Sequence, residues 1–221
     1  MDAVIYDQIE LAIIARLKDG LGKMVRDVVS YGGEMDENPG RIVSALPAAW
    51  VTFGGITRSK PHDTSHQKWR NTGTFVVMVG QQNVRNEKSG RITGRVDEVG
   101  TNTLVWSVRR LLMYQDFSDQ GLVISPLRPG RVRTLFNTAL QNQAFSVFAC
   151  EFECDWFETV LPITEWPRPE ERPEDELFAL YHGRIDGRYP LLTQVAATYE
   201  TELPTEGPVV TDMIRLNEDE L

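Results

Sequence analysis

The chain has 221 residues, 41% of them hydrophobic, enough to bury a core in one domain with an extension or in two small domains. Its net charge of −9 sits at one end: residues 1–164 balance 18 basic against 18 acidic side chains, whereas residues 165–221 carry 5 basic and 14 acidic ones. A pI near 4.9 argues against nucleic-acid binding as the main activity. No run reaches the roughly 18 apolar residues of a membrane span, and the opening MDAVIYDQIE lacks the basic and apolar stretches of an export signal. A soluble chain with no membrane contact is therefore expected.

Taken in chain order, Ile5, Ile9, Ala12, Ile13, Leu17 and Leu21 recur at three- and four-residue spacing, with Gly20 and Gly22 as a stop. This predicts an amphipathic helix near residues 4–19. Strands are predicted at residues 24–31, 48–53 and 74–80. The last, TFVVMVG, is apolar on both faces, as a central strand covered on both sides would be. Residues 54–71 and 81–99 then read as two long loops leaving the ends of that strand, and loops of such length are more often functional than idle.

The first of these loops contains ITRSKPHDTSHQKWR. Arg58, Lys60, Lys68 and Arg70 give it a cationic surface suited to contact with an acidic partner. His62 and His66 resemble a two-histidine metal clip, but Pro61, Asp63, Thr64 and Ser65 point to a loop with no third ligand. No metal or cofactor is called on them. A small-molecule or metal-binding module, or an adaptor, built on the His62/His66 loop stays open as the alternative reading.

GTNTLVWSVRRLLMYQDF predicts a second helix near residues 102–115. At about 100° per residue, Leu104, Val105, Val108, Leu111 and Leu112 cover the sheet, while Trp106 and Met113 fall on the opposite side beside Arg109 and Arg110. Two burials would satisfy that second stripe: a loop or the arm of the same chain, or a subunit interface. Trp, Met and Arg are enriched at the centres of interfaces, which makes Trp106, Arg109, Arg110 and Met113 the candidate subunit contact.

Two further strands are predicted at residues 131–137 and 143–157. In the second, Ser146, Phe148, Cys150, Phe152, Cys154 and Trp156 point one way and Glu151, Glu153 and Asp155 the other. The two cysteines are about 13 Å apart along a strand and cannot pair, so they read as small core residues in a reducing compartment. The recurring Gly-Arg triplets have no fixed period and look like turn glycines before strands. No nucleophile elbow, paired carboxylates in an apolar setting or phosphate loop is present, so no catalytic residue is called and an enzyme is not expected.

Four prolines between Pro162 and Pro173 deny helix and central strand alike, which places a domain boundary between residues 1–161 and 162–221. Beyond them the acidic segment is too apolar for a solvated linker. Phe178, Tyr181, Tyr189 and Leu192 are its candidate partner contacts, with an extended connector carrying them onto another polypeptide and the terminal EDEL left mobile. The fold expected is α+β: a mostly antiparallel twisted sheet of about five strands with two helices packed on one face, plus an extended C-terminal arm.

The blocks IYDQIELAIIARLKDGLG, VVSYGGEMDE, RNTGTFVVMVGQQNVRNE, GTNTLVWSVRRLLMYQDF, PLRPGRVRTLFN and SVFACEFECDWF, in that order, resemble the Mu-like prophage family of tail-completion proteins from contractile-tailed phages. Their role is related to that of the lambda-type tail terminators. The similarity covers about residues 1–158 and contains no catalytic signature. It implies a homo-oligomer, a hexameric ring that caps the head-proximal end of the finished tail. Tail tube and sheath proteins and the neck or head–tail connector would be its partners, and DNA would pass through the lumen without sequence-specific binding. The expected location is the virion tail or neck, after assembly in the host cytoplasm.

Overall fold

A computed structural model describes residues 4–33, 45–83, 100–140, 143–187, 194–198 and 211–215. The chain divides into two compact units, Asp2–Ile163 and Thr164–Leu221.

The larger unit is the α+β fold expected from the sequence. Its sheet has five strands, β1 (Asp27–Ser30), β2 (Ala48–Pro61), β3 (Lys68–Asn83), β4 (Arg128–Leu140) and β5 (Gln143–Thr159), in the spatial order β1-β2-β3-β5-β4. β1 runs parallel to β2, and every other pair is antiparallel. Helices α1 (Ile5–Leu21) and α2 (Thr101–Leu112) bury their apolar stripes on one face of the sheet. Ile9, Ile13 and Leu17 of α1 and Leu104, Val108 and Leu112 of α2 are wholly buried against Phe75, Val77, Cys150 and Phe152. Each such side chain contributes about 1.5–3 kcal/mol relative to exposure.

The helices also meet each other. Arg16 Nε donates to the Leu111 carbonyl at 2.7 Å, satisfying one acceptor in the last turn of α2. Gly20 leaves room for the Leu111 side chain, whose methyl a Cβ at that position would strike. α1 ends where Gly22, at φ +50, donates its N–H to the Lys18 carbonyl.

The opposite face of the sheet changes character along its length. Near the start of β2 it carries a smaller buried cluster of Leu46, Trp50, Met78, Val147 and Ala149, which is why TFVVMVG is apolar on both faces. Farther along the same strands the face turns polar and charged.

Residues 54–71 are not a loop. β2 and β3 stay paired from Phe53↔Phe75 out to Pro61↔Trp69, and β5 follows them to Lys68↔Thr159, so the sheet projects as a three-stranded blade. The reason lies in what the residues do there. Gly55, at φ +102, sits beside a register shift between Phe53 and Gly55, so the Gly54-Gly55 pair bends a strand that it seemed to end. From Arg58 to Lys68 every residue is exposed, so no apolar alternation marks the strand. Within residues 81–99, Gln81 and its next two neighbours continue β3, and 84–99 lie outside the described residues. The strand predicted at 24–31 is shortened to Asp27–Ser30 because Gly22–Met24 form a 3-10 turn.

In the smaller unit the proline-rich stretch is not the extended connector expected from its composition. Trp166 N–H donates to Asp186 Oδ2 at 2.9 Å and Asp186 N–H to the Pro167 carbonyl at 2.9 Å, closing the segment on itself. Asp175 accepts from the Arg168 N–H at 2.7 Å, and the Arg168 side chain pairs with Glu165 and Glu171 at 3.2 and 3.5 Å. Prolines that forbid helix leave the chain free to turn when side chains supply the acceptors. A short helix α3 (Glu176–Leu180) follows, and β6 (Gln194–Thr198) pairs antiparallel with β7 (Thr211–Arg215).

Candidate interaction surfaces

Residues directly opposite in an antiparallel pair share a face. The registers Lys60↔Arg70↔Phe157 and Arg58↔Thr72↔Asp155 therefore bring Arg58, Lys60 and Arg70, and Lys68 two residues from Arg70, to one face of the blade. It is the face turned away from the helices, since Trp156 on the other side packs with Tyr6 and Phe53. β4 adds Arg128 opposite Glu153. Between Arg58, Lys60, Arg70, Arg128, Glu153 and Asp155 lies an open groove of about 630 Å³.

Asp155 is the hub of this surface. Arg128 grips its carboxylate with both terminal nitrogens at 3.0 Å, Arg70 reaches it at 2.5 Å and the Thr72 hydroxyl donates at 2.6 Å. Ser125 completes the seat by accepting from the Asp155 N–H at 2.8 Å. Burial alone would raise the Asp155 carboxyl, but the hydrogen bonds from Arg128, Thr72 and Arg70 outweigh it and hold the group well below the usual carboxylate range.

The cations are consequently unequal. Arg70 and Arg128 are spent on Asp155, and the Lys68 ammonium lies 4.9 Å from the Phe157 ring centre. Arg58 and Lys60 are exposed and have no hydrogen-bond or ion-pair partner among the described residues.

The two histidines do not form a clip. His62 packs edge-on against Phe157 at 4.6 Å, while His66 lies 6.4 Å from Trp69 and its carbonyl accepts from Trp69 Nε1 at 3.1 Å. Asp63 accepts from Ser65 within the same turn. Among the described residues, no group of three or more His, Cys, Asp or Glu side chains is placed to hold a metal ion. No helix among them is long and apolar enough to cross a membrane.

On α2, Trp106 is 65% exposed. Arg110 is exposed beside it and Arg109 is half-buried. Met113 is not on that outward stripe. The helix ends at Leu112, and Met113, with an extended ψ of 127°, turns onto the main core, so the 100° step no longer describes its direction. Phe178 and Tyr181 are 43% and 74% exposed in the smaller unit, and Tyr189, Leu192 and the terminal EDEL lie outside the described residues.

Cys150 and Cys154 are buried and free. Burial pushes their thiols up to about 11 and about 12, so neither is a thiolate at neutral pH.

The Asp155 hub was not legible in the sequence. Its partners Ser125, Arg128, Arg70 and Thr72 are up to 85 residues away. The one local signal is an acidic residue between two core positions, Cys154 and Trp156, where a charge needs partners to persist.

A chain from "Virion of native gene transfer agent (GTA) particle" is similar at 14% identity and a TM-score of 0.30, over 67% of this chain and 91% of that one. A likeness at that level carries no argument about role. No curated protein matches the chain. The sequence model of "Bacteriophage Mu, Gp37" matches residues 5–157, from the start of α1 almost to the end of β5. The chain belongs to the Bacteriophage Mu Gp37 family.

Proposed function

We propose that the chain is a structural subunit of a phage-type virion that acts as a tail terminator. In this reading copies close into a ring, hexameric by family resemblance, at the head-proximal end of a contractile tail. One face meets tube and sheath, the other meets the neck or connector, and DNA passes through the lumen. The observation that carries the reading is Trp106, 65% exposed on a helix whose inner face is already buried in a complete core. A monomer gains nothing from that side chain, whereas an interface repeated around a ring buries it at every junction.

The groove chemistry supports a structural over a catalytic role. Its buried carboxylate is held ionised by two arginines, and an acid kept far below neutral pH is a poor proton carrier there. Electron microscopy of the purified full chain, with light scattering on the same sample, tests the proposal. Closed rings of one size support it; a monodisperse monomer at assembly concentrations overturns it.

A further inference from the structure

The blade holds cations that its own domain does not use. Arg58 and Lys60 stand on the rim of the groove with no partner among the described residues, and Arg70 and Arg128 form its floor around Asp155. Phe157, 42% exposed and in register with Arg70 and Lys60, gives the same face an apolar border. Beyond Val51, the last β2 residue paired with β1, β2 is an edge of the described sheet, so extended backbone lies next to these charges.

The smaller unit carries the complementary surplus. Between Pro167 and Tyr181 three charged side chains are already committed: Glu171 pairs with Arg168, and Asp175 caps the Arg168 N–H. Glu170, Glu174 and Glu176 are exposed and have no partner among the described residues. They are followed at once by the exposed Phe178, Leu180 and Tyr181. Unspent anions next to an exposed apolar run on one unit thus match unspent cations next to exposed Phe157 on the other.

We propose that the groove beside Asp155 receives the acidic segment 170–181 of a second copy of this chain. Arg58 and Lys60 meet Glu170, Glu174 and Glu176, and Phe178 and Tyr181 lie against the apolar border. Charge pairs of this kind set register and orientation, and the aromatic contacts slow release. The inference rests on the assembly reading above and specifies how neighbours would be fastened.

The test uses full-length chains in unlabelled and 15N-labelled form, mixed before assembly. A carbodiimide then joins carboxylates to lysines in contact, and mass spectrometry reads which isotopes are paired. The expected result is Lys60 or Lys68 joined to peptides containing Glu170, Glu174 or Glu176, with mixed-isotope pairs at the frequency of random mixing. Arg58→Glu should cut that yield about tenfold, and mixing it with a Glu174→Lys chain should recover links through Glu170. Links confined to same-isotope pairs would mean that the segment docks on its own chain, which overturns the proposal. Intact rings by electron microscopy with no such links overturn it and leave the tail-terminator reading standing. Absence of both rings and links sinks the two together. Duplex DNA binding at physiological salt that Arg58→Glu abolishes, with no links formed, would make the groove a phosphate-binding surface and also overturns it.

Discussion

Asp155 decides the charged face because it is 7% exposed and holds two arginines and a threonine in one geometry. Replacing it by asparagine keeps the shape but leaves Arg70 and Arg128 facing each other without their anion. Asp155→Asn should cost about 2–3 kcal/mol at neutral pH, read from urea unfolding midpoints. The pH dependence has a definite sign. The folded carboxyl is held below its unfolded value of about 3.9, so its stabilisation is full above that pH and is lost as pH falls through the folded value. Wild type should therefore weaken below about pH 4, and Asp155→Asn should flatten that part of the curve. Equal slopes for the two proteins would show that Asp155 does not carry the effect. A second site works by size alone. A Cβ on Gly73 would enter the Trp156 ring, which Tyr6 and Phe53 already wall in, so Gly73→Ala should cost about 1–3 kcal/mol by overpacking, measured in the same unfolding series.

At the scale of elements, the hairpin tip should be expendable for folding. His62, Asp63, Thr64, Ser65, His66 and Gln67 are all exposed and touch the rest of the domain mainly through the His62 ring and one bond from Val160 to the Gln67 carbonyl. Replacing residues 63–67 with Asn-Gly, a two-residue turn that suits the twist of paired strands and keeps His62 opposite Lys68, should change stability by about 0.5 kcal/mol or less. Calorimetry checks this, and a collapse of the transition would mean that the tip nucleates the blade. The same elements explain what the sequence could and could not reveal. α1 and α2 were legible because each has one wet and one dry face, so Ile9, Ile13 and Leu17, and Leu104, Val108 and Leu112, recur at helical spacing. The central part of β3 was legible because Val77 and Val79 face one core and Met78 the other. The blade was not, since strands exposed on Arg58, Lys60 and Lys68 alike carry no apolar period, and the Gly54-Gly55 pair imitates the end of a strand. Asp155 stayed hidden for a different reason: its partners are assembled by strand pairing across three strands and a loop, which no local pattern encodes.

For the whole molecule the deciding question is whether Trp106 acts within one chain or between chains. At 65% exposure it contributes little to the monomer, so Trp106→Ala should shift the unfolding free energy of the isolated subunit by about 0.5 kcal/mol or less. Assembly should respond very differently. A central aromatic anchor commonly costs about 2 kcal/mol or more on truncation, and a closed ring repeats that loss at each of its interfaces. The half-buried Met113, turned onto the core after the last turn of α2, supplies the internal control. Met113→Ala should lower monomer stability by about 2 kcal/mol or more while leaving the association of the folded fraction unchanged. Size-exclusion chromatography with light scattering, run beside thermal unfolding on both variants, separates the two effects. If Trp106→Ala associates like the parent and loses thermal stability instead, the side chain belongs to the fold of one chain and the ring must be sought on another face.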